Sequence, residues 1–167
     1  MKNYKKNIKQ QEKREIPSII DFIIELPMFT NLNEEELRII AGRMNFFELQ
    51  KGEILFREGD KGNFVCYVVE GILEVLKQTE SGKEVHIATI PRKRSIGEMS
   101  IIDNTPRSAT VRAKTDVALV SLTQSGFDEI LEQYPQTGIS LLKGLARLLS
   151  MNLRKTSSRL ADYMLPL

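Results

Sequence analysis

Residues 96–111 read IGEMSIIDNTPRSATV and carry more structural information than any other part of the chain. Within them Glu98 and Arg107 lie nine residues apart, a glycine precedes the acid, and two small residues follow the arginine. An arginine presents a rigid fork of donors that matches a phosphate, and a carboxylate accepts hydrogen bonds from sugar hydroxyls. The arrangement therefore favours a binding site for a small anion that carries sugar hydroxyls over a catalytic step.

The neighbours of these two residues support the same interpretation. Gly97 lets the backbone come close to a ligand, and a short helix that begins near Glu98 would add backbone N–H groups. Ser108 supplies a hydroxyl donor, and Ala109 leaves its backbone N–H unobstructed. The alternative is a simple salt bridge between Glu98 and Arg107 across a loop, which would not require these neighbours.

The segment also resembles the phosphate-binding cassette of cyclic-nucleotide-binding domains, of the catabolite-activator and protein-kinase-A regulatory-subunit type. The family pattern appears here as residues 96–100 and, after the intervening loop, as residues 106–111. The resemblance implies that Glu98 holds the ribose 2′-hydroxyl, while Arg107 and Ser108 hold the cyclic phosphate. The ligand-binding residues expected from the residues and the resemblance together are Ile87, Ile96, Gly97, Glu98, Met99, Ser100, Arg107, Ser108, Ala109, Thr156 and Ser157.

Composition is that of a single soluble domain, with 167 residues of which 41% are apolar and 28% are charged. No apolar run is long enough to cross a bilayer and no signal peptide is visible, so we expect no transmembrane segment. Cys66 is the only cysteine, which excludes an internal disulfide and favours a cytoplasmic protein with Cys66 as a buried structural thiol.

His86 is the only histidine. Metal-dependent jelly-roll enzymes usually need several histidines, and Ser-His-Asp hydrolases need one beside a nucleophile. We therefore expect no catalytic residues, no metal site and no cofactor, and we classify the chain as a non-enzyme. The alternation of residues 84–90 places His86 on a solvent face, opposite Val85 and Ile87.

Charge is concentrated at the N-terminus. Residues 1–15 contain six basic and two acidic residues, a net charge of +4, whereas the whole chain carries +2. Such an arm can bind nucleic acid or an acidic membrane. More often it is a solvated, flexible extension, and that is the role we expect here.

The chain divides into a basic arm (1–15), a helical segment (16–44), a β-roll (45–123) and C-terminal helices (124–167). Many short β-rich runs separated by turn glycines predict a jelly-roll sandwich, so the fold class is mainly β with flanking α-helices. The turn glycines are Gly52, Gly59, Gly62, Gly71 and Gly82, and tight turns often need their positive φ. The resemblance implies the same architecture from Leu26 to Tyr163.

Four helices are predicted around the β-roll. One spans 18–26 and ends at Pro27, and a second begins after Asn33, which caps three successive acids. A third spans 125–134, and Pro135 begins a break before a long helix over 137–164.

The long helix carries two apolar strips. One repeats at heptad spacing and predicts a dimer seam. Its members are Ile139, Leu142, Ala146, Leu149, Leu153, Thr156, Leu160 and Tyr163. The other strip, Leu141, Leu145 and Leu148, suits packing on the sandwich. A twin helix is the simplest partner for the seam, so we expect a homodimer; the alternative is a helix packed wholly on its own domain.

Thr156 puts a hydroxyl into this seam, and Ser157 follows it. A register-setting polar residue or fraying near the helix end would explain the pair. The family resemblance implies instead that the two hydroxyls contact the base of the nucleotide from the two subunits. Ile87 and Ile96 are expected as apolar walls for the purine, with ordinary core packing as the alternative.

Lys93-Arg94 departs from the family pattern, in which a Gly-Asp turn often precedes the cassette. The turn geometry is therefore open at this point, although no proposed ligand contact is lost. The short Ser108 and the Thr156–Ser157 pair favour cyclic AMP by resemblance, with cyclic GMP second. No length remains for a DNA-binding domain after the long helix. The expected function is therefore a homodimeric nucleotide sensor that signals to an unknown downstream protein through movement of the long helix. A DNA-associated regulator and a nucleotide-independent interaction domain are the alternatives.

Overall fold

The structure, a computed structural model, describes residues 16–164, with only the backbone described at residues 16–18 and 163. The predicted basic arm lies outside the described residues, as do residues 165–167.

The N-terminal segment folds into two short helices joined by a turn. Helix α1 spans Ile16–Ile23, a 3-10 turn spans Pro27–Phe29, and helix α2 spans Glu34–Ala41. The prediction of one helix up to Leu26 was wrong at its end, because the residue before a proline avoids the helical region and Leu26 is extended. The Asn33 cap is confirmed, since its side chain accepts from the Glu36 N–H while the Glu36 carboxylate accepts from the Asn33 N–H.

Within residues 16–164, eight strands form two antiparallel four-stranded sheets, which confirms the predicted jelly-roll sandwich. The strands are β1 Met44–Leu49, β2 Ile54–Phe56, β3 Phe64–Glu70, β4 Leu73–Gln78, β5 Glu84–Ile90, β6 Ser95–Ile96, β7 Thr110–Ala113 and β8 Val117–Thr123. The first sheet has the order β1-β8-β3-β6 and the second the order β2-β7-β4-β5.

Three helices complete the described chain: α3 Glu98–Asp103, α4 Gln124–Gln133 and α5 Pro135–Met164. The predicted break at Pro135 lies one residue earlier, at Tyr134, and Pro135 is instead the first residue of α5. Proline is favoured at that position because its fixed φ suits a helix and its missing N–H would have no partner there. The described range ends with α5 and contains no separate DNA-binding module.

Two apolar clusters form the core. One lies between the sheets and includes Cys66, which is fully buried as predicted. The other joins the outer face of the first sheet to the N-terminal helices, α4 and α5. Leu141 and Leu145 are buried in this second cluster and Leu148 packs against it, so the strip of α5 predicted to face the sandwich does so.

The predicted seam of α5 faces away from the domain. Ile139 and Leu142 are exposed, and Leu153 and Leu160 retain 68% and 58% of their accessible surface. The side chain of Tyr163 lies outside the described residues. The alternative in which α5 packs wholly on its own domain is therefore wrong for this monomer.

Strand β5 departs from the predicted alternation. His86 is exposed as expected, but Val85 and Ile87 are exposed as well. The pairing with β4 shifts register between Val75 and Leu76, whose partners are Ala88 and His86. Ile87 therefore has no directly aligned partner, and simple period-two alternation fails at this edge strand.

Four of the five turn glycines adopt positive φ as predicted, but Gly62 does not. A β-carbon at Gly62 would overlap the side chain of Ser100, so close packing is the reason for a glycine at this position. Among residues 16–164, none of the helices combines the length and the apolar character that a membrane crossing requires.

Candidate binding site in the 96–111 segment

The segment 96–111 folds back on itself around α3. Gly97 precedes the helix with φ near 90°, and Asn104 ends it in the left-handed region with φ near 56°. The Asp103 carboxylate then accepts hydrogen bonds from the backbone N–H and the hydroxyl of Thr105, at 3.0 and 2.7 Å. These local contacts reverse the chain and return Arg107 to the start of α3.

Arg107 is the most enclosed charged residue of the site, with 3% of its surface accessible. Its guanidinium donates to the carbonyl oxygens of Gly97 at 3.0 Å and Phe64 at 2.7 Å. The guanidinium carbon also lies 4.1 Å from the ring centre of Phe56 and 4.6 Å from that of Phe64. Arg107 therefore stabilises the segment as well as offering positive charge to a ligand.

The backbone of Arg107 is also held by two hydrogen bonds. Its N–H donates to the carbonyl of Asp60 at 2.8 Å, and its carbonyl accepts from the N–H of Gly59 at 2.9 Å. The β2–β3 loop thus supports the segment from outside, where Gly62 allows Ser100 to approach.

Glu98 is the buried carboxylate of the site, with 8% of its surface accessible. Burial raises the pKa of this carboxyl, since the charged form is poorly solvated, while the nearby Arg107 and a hydrogen bond from Asn152 oppose the increase. The side-chain nitrogen of Asn152 donates to Oε1 of Glu98 at 3.2 Å. A buried carboxylate that already has a donor is well suited to receive a second one from a hydroxyl.

Asn152 was missed in the sequence analysis. It lies on α5, four residues before Thr156 and so on the same face of the helix. That spacing is the only signal in the sequence that could have indicated it. The contact shows that α5 reaches the 96–111 segment through Asn152.

Lys77 and Glu58 were also missed. The ammonium of Lys77 donates to the carbonyl oxygen of Ser108 at 2.6 Å and forms an ion pair with Glu58. The hydrogen bond from Lys77 lowers the pKa of the Glu58 carboxyl. Two charged side chains from β4 and the β2–β3 loop therefore support the residue next to Arg107.

The remaining predicted residues lie in different environments. Ser100 and Ala109 are buried beside Arg107, whereas Met99, Ser108 and Ile87 are exposed. Ile96 is half-buried and packs against the cluster between the sheets, which agrees with its alternative role in the core. Thr156 and Ser157 are exposed on α5, one turn beyond Asn152, and their contact with a base stays a prediction.

The turn before the segment forms despite its unusual sequence. Lys93 takes a left-handed conformation with φ near 64°. Its N–H donates to the carbonyl of Val68 at 2.9 Å, and the N–H of Val68 donates to the carbonyl of Arg94 at 3.0 Å. The Lys93 ammonium also pairs with Glu25 at 3.0 Å, which links the turn to the N-terminal segment.

Comparison with known proteins connects this geometry to a family. The family model described as the cyclic nucleotide-binding domain matches residues 46–134. The cAMP-dependent protein kinase regulatory subunit of Blastocladiella emersonii is 32% identical over 110 residues, which cover 66% of this chain. The matched region is 27% of that subunit, so the chain corresponds to about a quarter of the relative's length.

Solved structures give the same result. A cyclic nucleotide-binding domain from Methylobacillus flagellatus KT superposes with a TM-score of 0.80 at 26% identity, covering 91% of this chain and 85% of that one. The catabolite activator protein of Thermus thermophilus superposes with a TM-score of 0.71 at 26% identity, covering 82% and 62%. With its sandwich, its 96–111 segment and its long C-terminal helix, this chain belongs to the cyclic nucleotide-binding domain family.

Proposed function

We propose that this chain is a non-enzymatic sensor that binds cyclic AMP, with cyclic GMP as the second candidate ligand. The observation that carries the proposal is the fold of the 96–111 segment. The chain reverses direction after α3, and both Glu98 at the start of this helix and Arg107 after the reversal are buried. Membership of the family supports a cyclic nucleotide as the ligand. The similarity to a cAMP-dependent kinase regulatory subunit supports the adenine form.

In the proposed complex, Glu98 accepts a hydrogen bond from the ribose 2′-hydroxyl. Arg107 and Ser108 bind the cyclic phosphate, while Gly97, Ser100 and Ala109 shape the segment around it. Ile87 and Met99 are exposed apolar side chains, and in this complex the purine covers them. In the same complex the outer half of α5 lies over the site, so that Thr156 and Ser157 contact the base.

Binding is tested by titration calorimetry with cyclic AMP and cyclic GMP. Arg107→Ala is a poor first variant, because it removes two hydrogen bonds and two ring contacts from a buried site. Glu98→Gln and Arg107→Lys preserve more of the packing and should each lower affinity by about tenfold or more, since a charge-assisted bond is lost or weakened. Glu80→Gln, on the exposed β4–β5 turn, is the matched control. Wild-type affinity in both site variants would contradict the proposal.

We also propose that the chain forms a homodimer through the seam of α5. Four large apolar residues of the seam are exposed, namely Ile139, Leu142, Leu153 and Leu160, and the heptad spacing of the seam fits a second copy of the same helix. A double variant, Leu153→Glu with Leu160→Glu, should be monomeric by light scattering, because it places four like charges in the seam of the dimer. Ser158→Glu, also exposed on α5, should leave the mass of a dimer unchanged. A monomeric wild-type protein would contradict the dimer.

In this proposal the protein signals because the nucleotide has different affinities for two states of the protein, which differ in the position of α5. A ligand shifts such an equilibrium only by its difference in affinity for the two states. Since α5 already contacts Glu98 through Asn152, nucleotide binding at Glu98 would change the energy of that contact.

One observation favours the alternative of a nucleotide-independent interaction domain. The Arg107 guanidinium donates to two backbone carbonyls and is almost fully enclosed, so a phosphate would have to share or replace these bonds. The two functions predict different effects of added ligand on the melting temperature of the protein. A melting temperature that neither cyclic AMP nor cyclic GMP raises would support the alternative.

A further inference from the structure

Lys77 makes a contact that family membership does not explain. It lies on β4, 31 residues before the residue whose carbonyl it binds, and its ammonium donates to the Ser108 oxygen at 2.6 Å. Ser108 directly follows Arg107, in the part of the segment that would face a phosphate. The contact therefore acts on the backbone of the site and not on a distant surface.

The bond to Ser108 also determines the direction of the next N–H group. The structure contains no cis peptide bond among residues 16–164, so the Ser108–Ala109 peptide is trans. In a trans peptide the carbonyl oxygen and the following N–H lie in the same plane and point in opposite directions. By holding the Ser108 oxygen on one side, Lys77 directs the Ala109 N–H to the other.

The charge of Lys77 adds to this effect. A cation that binds a peptide oxygen polarises the peptide, which makes its N–H a stronger donor. An anion bound at the Ala109 N–H would therefore gain from Lys77 without touching it. The effect is favoured by the surroundings, because Ala109 itself is buried.

Glu58 keeps the ammonium in place. It forms an ion pair with Lys77, and its other carboxylate oxygen accepts from the N–H of Gln78 at 3.2 Å. The N–H of Glu58 donates to the hydroxyl of Thr110 at 3.0 Å. Lys77 thus lies between a carboxylate and a carbonyl, and Glu58 is held by β4 through its carboxylate and by β7 through its backbone N–H.

We propose that Lys77, held by Glu58, is a positioning residue that orients and polarises the Ser108–Ala109 peptide so that the Ala109 N–H binds the phosphate of the nucleotide. This proposal rests on the proposed function and adds a residue that acts without contacting the ligand. The competing explanation is a surface ion pair with no effect on the site.

The experiment compares Lys77→Met, Lys77→Arg and Glu58→Gln with the control Lys83→Met, which removes an exposed lysine from the β4–β5 turn. Cyclic AMP affinity is measured by calorimetry. Lys77→Met should weaken binding by about fivefold to tenfold, a loss in the range of one ordinary hydrogen bond, because Lys77 acts on the phosphate only through the peptide. Lys77→Arg should retain most of the affinity, Glu58→Gln should lose less than Lys77→Met, and Lys83→Met should match the wild type.

A second readout follows the peptide itself. In a ¹H–¹⁵N spectrum, the Ala109 amide should shift between the wild type and Lys77→Met before ligand is added, and its further shift on adding cyclic AMP should be smaller in the variant. Wild-type affinity and an unchanged Ala109 amide in Lys77→Met would overturn the inference. A wild-type protein that binds neither cyclic AMP nor cyclic GMP would instead overturn the proposed function, and the role of Lys77 in phosphate binding with it.

Discussion

The side-chain nitrogen of Asn152 donates a 3.2 Å hydrogen bond to Oε1 of Glu98, and this bond joins the long helix α5 to the 96–111 segment across 54 residues of sequence. Glu98 is the carboxylate to which the ribose is assigned in the proposed function. A ribose hydroxyl must therefore share this carboxylate with Asn152 or displace it. Either outcome changes how firmly α5 is attached at its middle.

Asn152→Ala should lower the free energy of unfolding by about 1 kcal/mol, because a buried carboxylate loses a donor. The loss should be larger at pH 7 than at pH 4, since the Asn152 hydrogen bond lowers the pKa of Glu98 and so favours its charged form. Chemical denaturation at both pH values measures the effect. Arg154→Ala, exposed on the same helix, is the control and should change little. Equal losses at the two pH values would contradict a bond to the charged carboxylate.

Glu98→Gln should reduce the pH dependence of stability. Burial raises the pKa of Glu98 in the folded state above its ordinary value of 4.5. The stability linked to the protonated carboxyl is therefore fully present below that value and is lost as the pH rises through the raised pKa. Glutamine keeps the acceptor for Asn152 but cannot ionise, so the variant should be more stable than the wild type near pH 7.

The two proteins should be alike near pH 4, and denaturation series across pH 4–8 make the comparison. Glu80→Gln controls for the loss of one surface charge. A wild type that gains stability over Glu98→Gln as the pH rises would show that the fold favours the ionised form.

Gly97→Ala and Gly82→Ala separate backbone strain from steric overlap. Both glycines have positive φ, near 90° and 77°, but a β-carbon at Gly82 meets nothing within 4 Å. At Gly97 it would overlap Nη1 of Arg107 and lie 3.1 Å from the Phe64 carbonyl oxygen. Gly82→Ala should cost about 1 kcal/mol of strain, and Gly97→Ala about 2–4 kcal/mol because overpacking is added. If urea denaturation gave similar losses in the free energy of unfolding for both variants, Arg107 and its surroundings would be able to move aside at little energetic cost.

At position 93 a glycine variant should be more stable than an alanine variant, which is the reverse of the usual order of stability. Lys93→Gly and Lys93→Ala both remove the ion pair with Glu25, so their difference reports the backbone alone. At an ordinary position glycine is the less stable of the two. With φ near 64°, Lys93→Gly should instead be more stable than Lys93→Ala, by about 1 kcal/mol in denaturation experiments. An alanine variant as stable as the glycine variant would contradict a left-handed residue at this turn.

Features that depend on neighbours in the chain could be predicted well. The cap at Asn33 and the helix that begins at Glu98 follow from residues within a few positions of each other. The helix ends near Pro27 and Pro135 were less accurate, because the same proline can end one helix or begin the next element. The exposed seam of α5 followed from heptad spacing alone.

Contacts between distant residues could not be predicted. The bond of Asn152 to Glu98, the bond of Lys77 to Ser108 and the register shift beside Ile87 each depend on how separate elements are placed. The inward direction of Arg107 belongs to the same class, since its partners include Phe64, 43 residues away.

The amino-acid sequence by itself thus determined the fold class, the position of the 96–111 segment and the two strips of α5, because turn residues, caps and periodicity act over a few residues. Only the tertiary structure decided which side chains surround Glu98, Arg107 and Ser108. Burial and hydrogen bonding between distant residues set those environments, and they exist only once the two sheets and α5 have packed together.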